Sequence, residues 1–316
     1  MPRGARLLAK AEHLNPSGSC KDRLALALLA EAEAEHDLQP GDPVVEATSG
    51  NTGIALAQAC AVRDYDLHVV SSEKVSEEKI AIMEAFGAQI HRTPKVAHDH
   101  PEHYTNYAPV LAEEVGGAYL RQFSSSANAR IHREHTGPEL VAQVRQAGLE
   151  PDAFVHGVGT GGTLAGIAQH LERACPEAQV VLADPEGSVI AGGGPSEDYL
   201  VEGIGDDHEP PLYEPSLVDD AITVSDDASF RHALLAARRE GLLVGGSSGT
   251  HLAAAIEVAQ ELGPGAVVTT VLSDTGRNYL STFLDEGWCQ ARDLDDPWRG
   301  LRGGVRCATS PRHAPC

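Results

Sequence analysis

The sequence predicts a two-lobed α/β fold with mostly parallel sheets, and three observations carry that prediction. Short apolar runs alternate with helical segments along nearly the whole chain. Three of the predicted strands end in runs of Gly, Ser, Thr or Asn that open a helix, and residues 266–272 form an almost continuous β-branched run, as expected of a central parallel strand. A chain of 316 residues can bury enough surface for two lobes, and with aromatics at only 4% the core must be built from Leu, Val, Ile and Ala.

Taken in order, residues 7–12 read as a short strand that enters the turn Asn15-Pro16-Ser17-Gly18-Ser19-Cys20-Lys21-Asp22-Arg23 and then a strong helix former. Gln39-Pro40-Gly41-Asp42 punctuates, 43–47 is a buried strand, and Thr48-Ser49-Gly50-Asn51-Thr52-Gly53 opens a helix over 54–62. Strand 67–70, helix 77–86 and strand 88–91 continue the alternation. The segment 91–107 breaks it and holds His98, His100 and His103; with no cysteine and no defined ligand spacing, it is read as a solvated loop rather than a metal site. A helix over 108–115 and a strand around 118–123 follow. The second half repeats the theme with strand 153–156, loop 157–163, helix 164–173 and strand 180–183. A Gly-, Pro- and acid-rich excursion fills 191–215. Helix 225–240, strand 241–244, loop 245–250, helix 251–262 and strand 266–272 complete the pattern. Residues 291–316, rich in Arg, Gly, Asp and Pro without period, read as a disordered tail.

A formal charge of −22 argues against nucleic acid and anionic membrane surfaces as partners, so any phosphate must be held locally by backbone N–H groups and helix ends. Cys20, Cys60, Cys175, Cys289, Cys307 and Cys316 are scattered without a CxxC pair or a secretory signal, which points to a reducing cytoplasm. No apolar run approaches the roughly 18 residues of a membrane span.

Lys21 is unusual because a cation in the first turn of a helix faces the positive end of the dipole. A solvated lysine is the ordinary reading of the position alone. However, the chain contains only Lys10, Lys21, Lys74, Lys79 and Lys95, and only Lys21 is framed by small residues that let a flat ring approach the backbone. An amine that must attack a carbonyl, as in a Schiff base with pyridoxal phosphate, gains from such a site. Lys74 and Lys79 lie in a charged Ser-Glu-Lys segment, and Lys95 lies beside the histidine-rich loop.

Three loops suit an anion: 48–53, 157–163 and 245–250, each between a strand and a helix. Gly159, Thr160, Gly161, Gly162 and Thr163 make the best phosphate cradle, since glycines admit close backbone approach and two hydroxyls add donors. The loop matches neither a Walker motif nor a dinucleotide fingerprint, because no lysine follows and the glycine spacing fails.

Seven motifs in order, NPSGSCKDR, EATSGNTGIALA, GVGTGGTLAGIA, DPEGS, VEGIG, GGSSGT and SDTGRNYLSTFL, resemble the cysteine synthase/cystathionine β-synthase family of pyridoxal phosphate enzymes over about residues 7–288. The resemblance implies the three-layer αβα fold of the tryptophan synthase β-subunit-like enzymes. Residues 1–45 and 121–290 are expected to form a large cofactor-binding lobe, and 46–120 a small mobile lobe. It implies Lys21 as Schiff-base lysine and acid/base, Asn51 at the ring hydroxyl, Gly159 through Thr163 at the phosphate and Ser247 at the ring nitrogen. Thr48, Ser49, Thr52 and Gln122 are implied to hold the substrate carboxylate, with Glu202 and Gly203 bordering the site. The expected reaction is β-replacement on serine or an O-activated serine with a thiol. DPEGS, VEGIG, GLLVGGSSG and RNYLSTFL resemble cystathionine β-synthase, which uses serine and homocysteine. Gln122-Phe123 and residues 131–139 are more similar to cysteine synthase, which uses O-acetylserine and sulfide. Ser125-Ser126 stands where both usually read Asn-Pro. Two further readings are a serine/threonine dehydratase and a non-catalytic member. A homodimer is expected, and the tail of a serine acetyltransferase is a partner that cysteine synthases accept. Family members already have an amino-terminal arm and a strand like Gly-Asn-Thr-Pro-Leu-Val at the point where this sequence begins, so either the true start is upstream or this form lacks a sheet element; neither haem nor S-adenosylmethionine control is expected.

Overall fold

The computed structural model describes residues 1–48, 50–73, 75–192, 194–292, 294 and 297, so most of the expected tail at 291–316 lies outside the described residues. In chain order the elements are β1 (Arg6–Lys10), α1 (Lys21–His36), β2 (Pro43–Ala47), α2 (Asn51–Arg63), β3 (Asp66–Ser72), α3 (Glu77–Ala85) and β4 (Gln89–Thr93). There follow α4 (Tyr104–Val115), β5 (Ala118–Tyr119), α5 (Ser126–Ile131), α6 (Gly137–Gln146), β6 (Ala153–His156), α7 (Gly162–Ala174) and β7 (Gln179–Pro185). The chain continues through β8 (Asp220–Val224), α8 (Asp226–Leu235), α9 (Gly246–Leu262), β9 (Val267–Val271) and α10 (Glu286–Gln290). The strands form a five-stranded sheet in the order β1-β9-β6-β7-β8 and a four-stranded sheet in the order β4-β3-β2-β5, with every pairing parallel.

Both sheets are covered on both faces. On the larger, Phe154 and Leu182 pack against Leu140, Val144, Leu164 and Ile167 of α6 and α7, whereas Val155, Val181 and Val268 point the other way onto Ala254, Ala255 and Val258 of α9. On the smaller, Val44, Leu67 and Val69 pack against α1, α2 and α3, and Val45, Ala47 and Val70 pack against α4. Adjacent strand residues thus serve opposite faces, which is why these strands are apolar without alternation. α1 follows a strand of the larger sheet but buries Leu24, Leu28 and Leu29 in the core of the smaller.

Several local expectations are corrected. Residues 241–244 are not a strand: only Val244 forms an isolated bridge, to Thr275. One edge of the larger sheet is β8, a strand the sequence reading did not expect, which lies largely exposed along β7. The expected helix 225–240 ends at Leu235 and continues as a π turn over Ala236–Glu240. The strand expected over 118–123 is only β5, because the chain leaves the sheet at Leu120 and reverses at Arg121, where φ is 61°. α4 starts ahead of the expected 108 and runs through Pro109.

Helices α8 and α9 meet at Gly249, where a Cβ would overlap the Ser229 carbonyl oxygen in the backbone. Replacing Gly249 with Ala should therefore lower the unfolding free energy by about 1–3 kcal/mol, read from urea denaturation. β2 carries a fully buried carboxyl, Glu46, whose oxygens accept N–H bonds from Ala47 (2.8 Å) and Gln122 (3.1 Å). Burial pushes its pKa up to about 8 from 4.5, against the pull of those two bonds. Between these values the folded protein holds a proton that the unfolded chain has released, so stability declines as pH rises through the window. The urea midpoint should fall from about pH 5 to about pH 8, and Glu46→Gln should flatten that fall.

Candidate active site

The loops that follow β1, β2, β6 and β9 all contribute to one cavity of about 540 Å³ between the two sheets. This is where ligands bind open parallel sheets.

Lys21 is the first residue of α1. The turn before it is held by the Ser17 N–H and hydroxyl, both bonded to Asp22, and by Asn15 Nδ2 donating to Glu12 (2.6 Å) and to the Ser19 carbonyl (3.0 Å). Gly18, at φ 87°, brings the turn so near Thr275 that a Cβ would lie 2.8 Å from Thr275 Cγ2. Arg23 pairs with buried Glu12 through two nitrogens, 2.8 and 2.9 Å, fixing the first turn of α1 from behind. The Lys21 amine lines the cavity; among the described residues it pairs with no carboxylate, and its recorded neighbour is Cys20 Sγ at 3.8 Å. The Cys20 thiol is buried and its pKa is raised by that burial.

Opposite, Gly159, Thr160, Gly161 and Thr163 line the cavity where β6 gives way to α7, whose first N–H groups have no intrahelical acceptor. The glycines are required by packing: a Cβ on Gly161, at φ 89°, would stand 2.6 Å from the Tyr213 nitrogen, and one on Gly159 would overlap the Gly203 carbonyl. Gly162 lies behind the lining, against Asn128. Three side chains brace this loop from outside. Asn128 Nδ2 donates to Thr160 Oγ1 (2.9 Å), His132 Nε2 lies 3.2 Å from Thr163 Oγ1, and His251 Nε2 accepts from the Gly157 N–H (2.9 Å). Burial pulls the pKa of His132 down to about 3 and that of His251 to about 4, so both are neutral hydrogen-bonding groups.

Thr48, Asn51, Thr52 and Gln122 line the same cavity, while Ser49 lies outside the described residues. Thr52 Oγ1 donates to Gln122 Oε1 (2.7 Å), and Gln122 Nε2 donates to the Ala47 carbonyl. Asn51 Nδ2 donates to Asp274 Oδ2 (2.8 Å) and Asn51 Oδ1 accepts from Asn278 (3.2 Å), leaving one N–H of the amide for the cavity. Ser247, in the first turn of α9, lines the cavity at 4% exposure, and its hydroxyl makes no hydrogen bond among the described residues. Glu202 and Gly203 border the cavity, and a Cβ on Gly203 would meet nothing within 4 Å.

Sequence reasoning missed several groups in the lining or directly behind it. Asp274 and Tyr279 lie inside the quoted SDTGRNYLSTFL motif but received no role, yet Tyr279 donates to Asp274 Oδ2 (2.6 Å), the oxygen that also holds Asn51. Burial raises the Asp274 pKa, while the bonds from Tyr279 and Asn51 lower it. His156 and Ser273 also line the cavity, 3.4 Å apart; Ser273 opens the same SDTGRNYLSTFL motif without having been given a role, and His156 lies just outside the quoted GVGTGGTLAGIA motif. Lys79, placed by sequence in a charged segment, is buried in the lining and pairs with Glu202. At the mouth, His98 of the segment read as a solvated loop packs its ring 4.2 Å from that of His208, whose Nδ1 lies 3.0 Å from Asp206 and 2.9 Å from Asp207.

Among the described residues, an amine outside any ion pair, a hydroxyl without a hydrogen bond and a glycine-lined helix start surround one cavity, and they fit an aldehyde cofactor that carries a phosphate ester. Comparison with known proteins agrees. Residues 2–274 match the family model described as pyridoxal-phosphate dependent enzyme. The chain is 41% identical over 291 residues to cystathionine β-synthase of Rattus norvegicus, covering 89% of this chain but only 51% of that protein, so it spans about half the length of that relative. It is 40% identical over 280 residues to a cysteine synthase of Staphylococcus aureus, with 89% of each chain covered. Among solved structures, an O-ureido-L-serine synthase superimposes with a TM-score of 0.84 at 36% identity over 92% of both chains. An O-acetylserine dependent cystathionine β-synthase from Helicobacter pylori gives a TM-score of 0.82 at 36% identity, over 89% of this chain and 90% of that one. The two parallel sheets, the cavity between them and these matches place the chain in the pyridoxal-phosphate dependent enzyme family, among the relatives of cystathionine β-synthase and cysteine synthase.

Proposed function

We propose that the protein catalyses β-replacement on L-serine or an O-activated L-serine with a thiol, and that the reaction is the joining of serine and homocysteine. The observation that carries the β-replacement reading is the Lys21 amine, in no ion pair among the described residues, standing in a cavity lined by Thr48, Asn51 and Thr52 on one side and by the glycine-rich 159–163 loop on the other. Pyridoxal phosphate, when bound, supplies an electron sink for the Cα–H and Cβ bonds of the amino acid. Lys21 would hold the cofactor covalently at rest and then move the Cα proton. Gly159, Thr160, Gly161, Gly162 and Thr163 would hold the phosphate with backbone N–H groups and hydroxyls. The free N–H of Asn51 would meet the ring hydroxyl, its orientation set by Asp274. Ser247, a neutral group, would face the ring nitrogen and leave it unprotonated, which favours loss of the Cβ substituent over transamination. Thr48, Ser49, Thr52 and Gln122 would hold the carboxylate, and movement of the smaller lobe would exclude water.

The serine and homocysteine reading is supported by the motifs that resemble cystathionine β-synthase and by the relative of that name at 41% identity. A second reading, cysteine formation from O-acetylserine and sulfide, is supported by the Staphylococcus aureus cysteine synthase, whose length this chain covers at 89%. By the same resemblance a homodimer is proposed.

Borohydride reduction of cofactor-saturated protein should place the pyridoxyl mass on the peptide containing Lys21. Lys21→Ala should lose the visible absorbance of the bound cofactor and at least roughly 10²–10⁴ of the turnover. Serine and O-acetylserine, each crossed with homocysteine and sulfide, identify the reaction by product. Cystathionine from serine is the expected result, and ammonia with a keto acid, formed without thiol, would overturn it in favour of a dehydratase.

A further inference from the structure

Lys79 has no part in the chemistry assigned above, yet it is 2% exposed and reaches the cavity from the smaller sheet's layer. Its methylene stem runs against Gly50, in the loop that follows β2. A Cβ on Gly50, which adopts φ 153°, would stand 2.8 Å from Lys79 Cδ, so this glycine leaves the room that the lysine fills. The ammonium pairs with Glu202 and lies 4.5 Å from the centroid of the Tyr279 ring. One residue earlier, Glu78 is hydrogen-bonded to the Ser281 side chain, which draws its pKa down. The first turn of α3 is therefore fastened to the larger layer at Glu202, Tyr279 and Ser281. A lysine buried to this degree gives up its hydration, and the pairing must be close to offset that cost.

We propose that Lys79 is a positioning residue that couples the 48–52 loop to the 201–205 loop, so that the Lys79–Glu202 pair sets how well the first amino acid's carboxylate is seated. The inference rests on reading 48–52 as the carboxylate loop. Lys79 supports that loop through its stem, and the same side chain ends on the loop that borders the cavity from the other layer. Tyr279 joins the two routes, since it lies under the ammonium and also donates to the Asp274 carboxylate that holds Asn51.

Lys79→Met keeps the stem and removes the charge. In cofactor-saturated protein this variant should raise KM for the amino-acid donor about tenfold while kcat changes less than about threefold and the cofactor's absorbance stays unchanged. Glu202→Gln should raise KM similarly, and the double variant should be no worse than either single one, as expected of one coupled pair. Hydrogen exchange supplies a readout independent of turnover: backbone amides of 50–54 and 199–205 should exchange faster in Lys79→Met, with β6 and β9 unaffected. Unchanged exchange at 199–205, additive effects of the two substitutions, or loss of protection through the central strands would each overturn the coupling. A fall in kcat with unchanged KM would also overturn it, by making Lys79 part of the chemistry. If neither serine nor O-acetylserine is turned over, the function reading fails, while the exchange result still decides the coupling.

Discussion

The amine of Lys21 stands between two hydrophobic cores because β1 and α1, neighbours in sequence, belong to different ones. β1 is bound along its whole length to β9, from Arg6 opposite Val267 to Lys10 opposite Val271, and so is fixed in the larger sheet. α1 buries its leucines in the smaller core. The short turn between them must bridge the gap, and the residue that starts the helix inevitably faces the space between the layers. The Asn15, Ser17 and Asp22 bonds and the Arg23–Glu12 pair hold that turn in one conformation. A side chain on a helix start fixed at both ends is more precisely aimed than one on a free loop, which suits an amine that must meet a single atom of a cofactor.

Around this amine the cavity wall is built largely from neutral polar groups, although the chain as a whole carries a charge of −22. His132, His156 and His251 are buried and kept neutral by that burial, so they act as hydrogen-bonding braces rather than as cations. Three acids at or behind the wall are engaged. Asp274 accepts from Asn51 and Tyr279, Glu202 is matched by Lys79, and Glu46 accepts two backbone N–H groups beside Gln122. In a low-dielectric pocket, unpaired acids would hold Lys21 in ion pairs and repel a phosphate. Pairing and neutralisation of these groups keep the site hospitable to an anionic ligand.

The braces also tie separate parts of the site to one another. Asn128 donates both to the Gln122 carbonyl and to Thr160, joining the carboxylate side of the cavity to the phosphate side. Thr52 and Gln122 are bonded across the two ends of the smaller sheet's excursion. The substrate side and the cofactor side of the cavity are thus linked through buried polar groups.

Much of this was legible in the sequence, and for local reasons. Uninterrupted apolar runs identify strands covered on both faces, glycine and hydroxyl runs mark the loops that end them, and five lysines in the whole chain leave few candidates for a reactive amine. What the sequence left undecided is nonlocal. β8 became a strand only because β7 offered it an edge, and residues 241–244, apolar enough to pass for a strand, found no partner beyond one bridge. Lys79 in a run of charges is indistinguishable from a solvated lysine until Glu202, far along the chain, is brought against it. Strand periodicity, turn chemistry and the order of motifs are properties of neighbouring residues, and the sequence by itself determined them. Which strand pairs with which, which core receives α1 and which buried charge meets its partner depend on contacts between distant residues, and only the tertiary structure decided those.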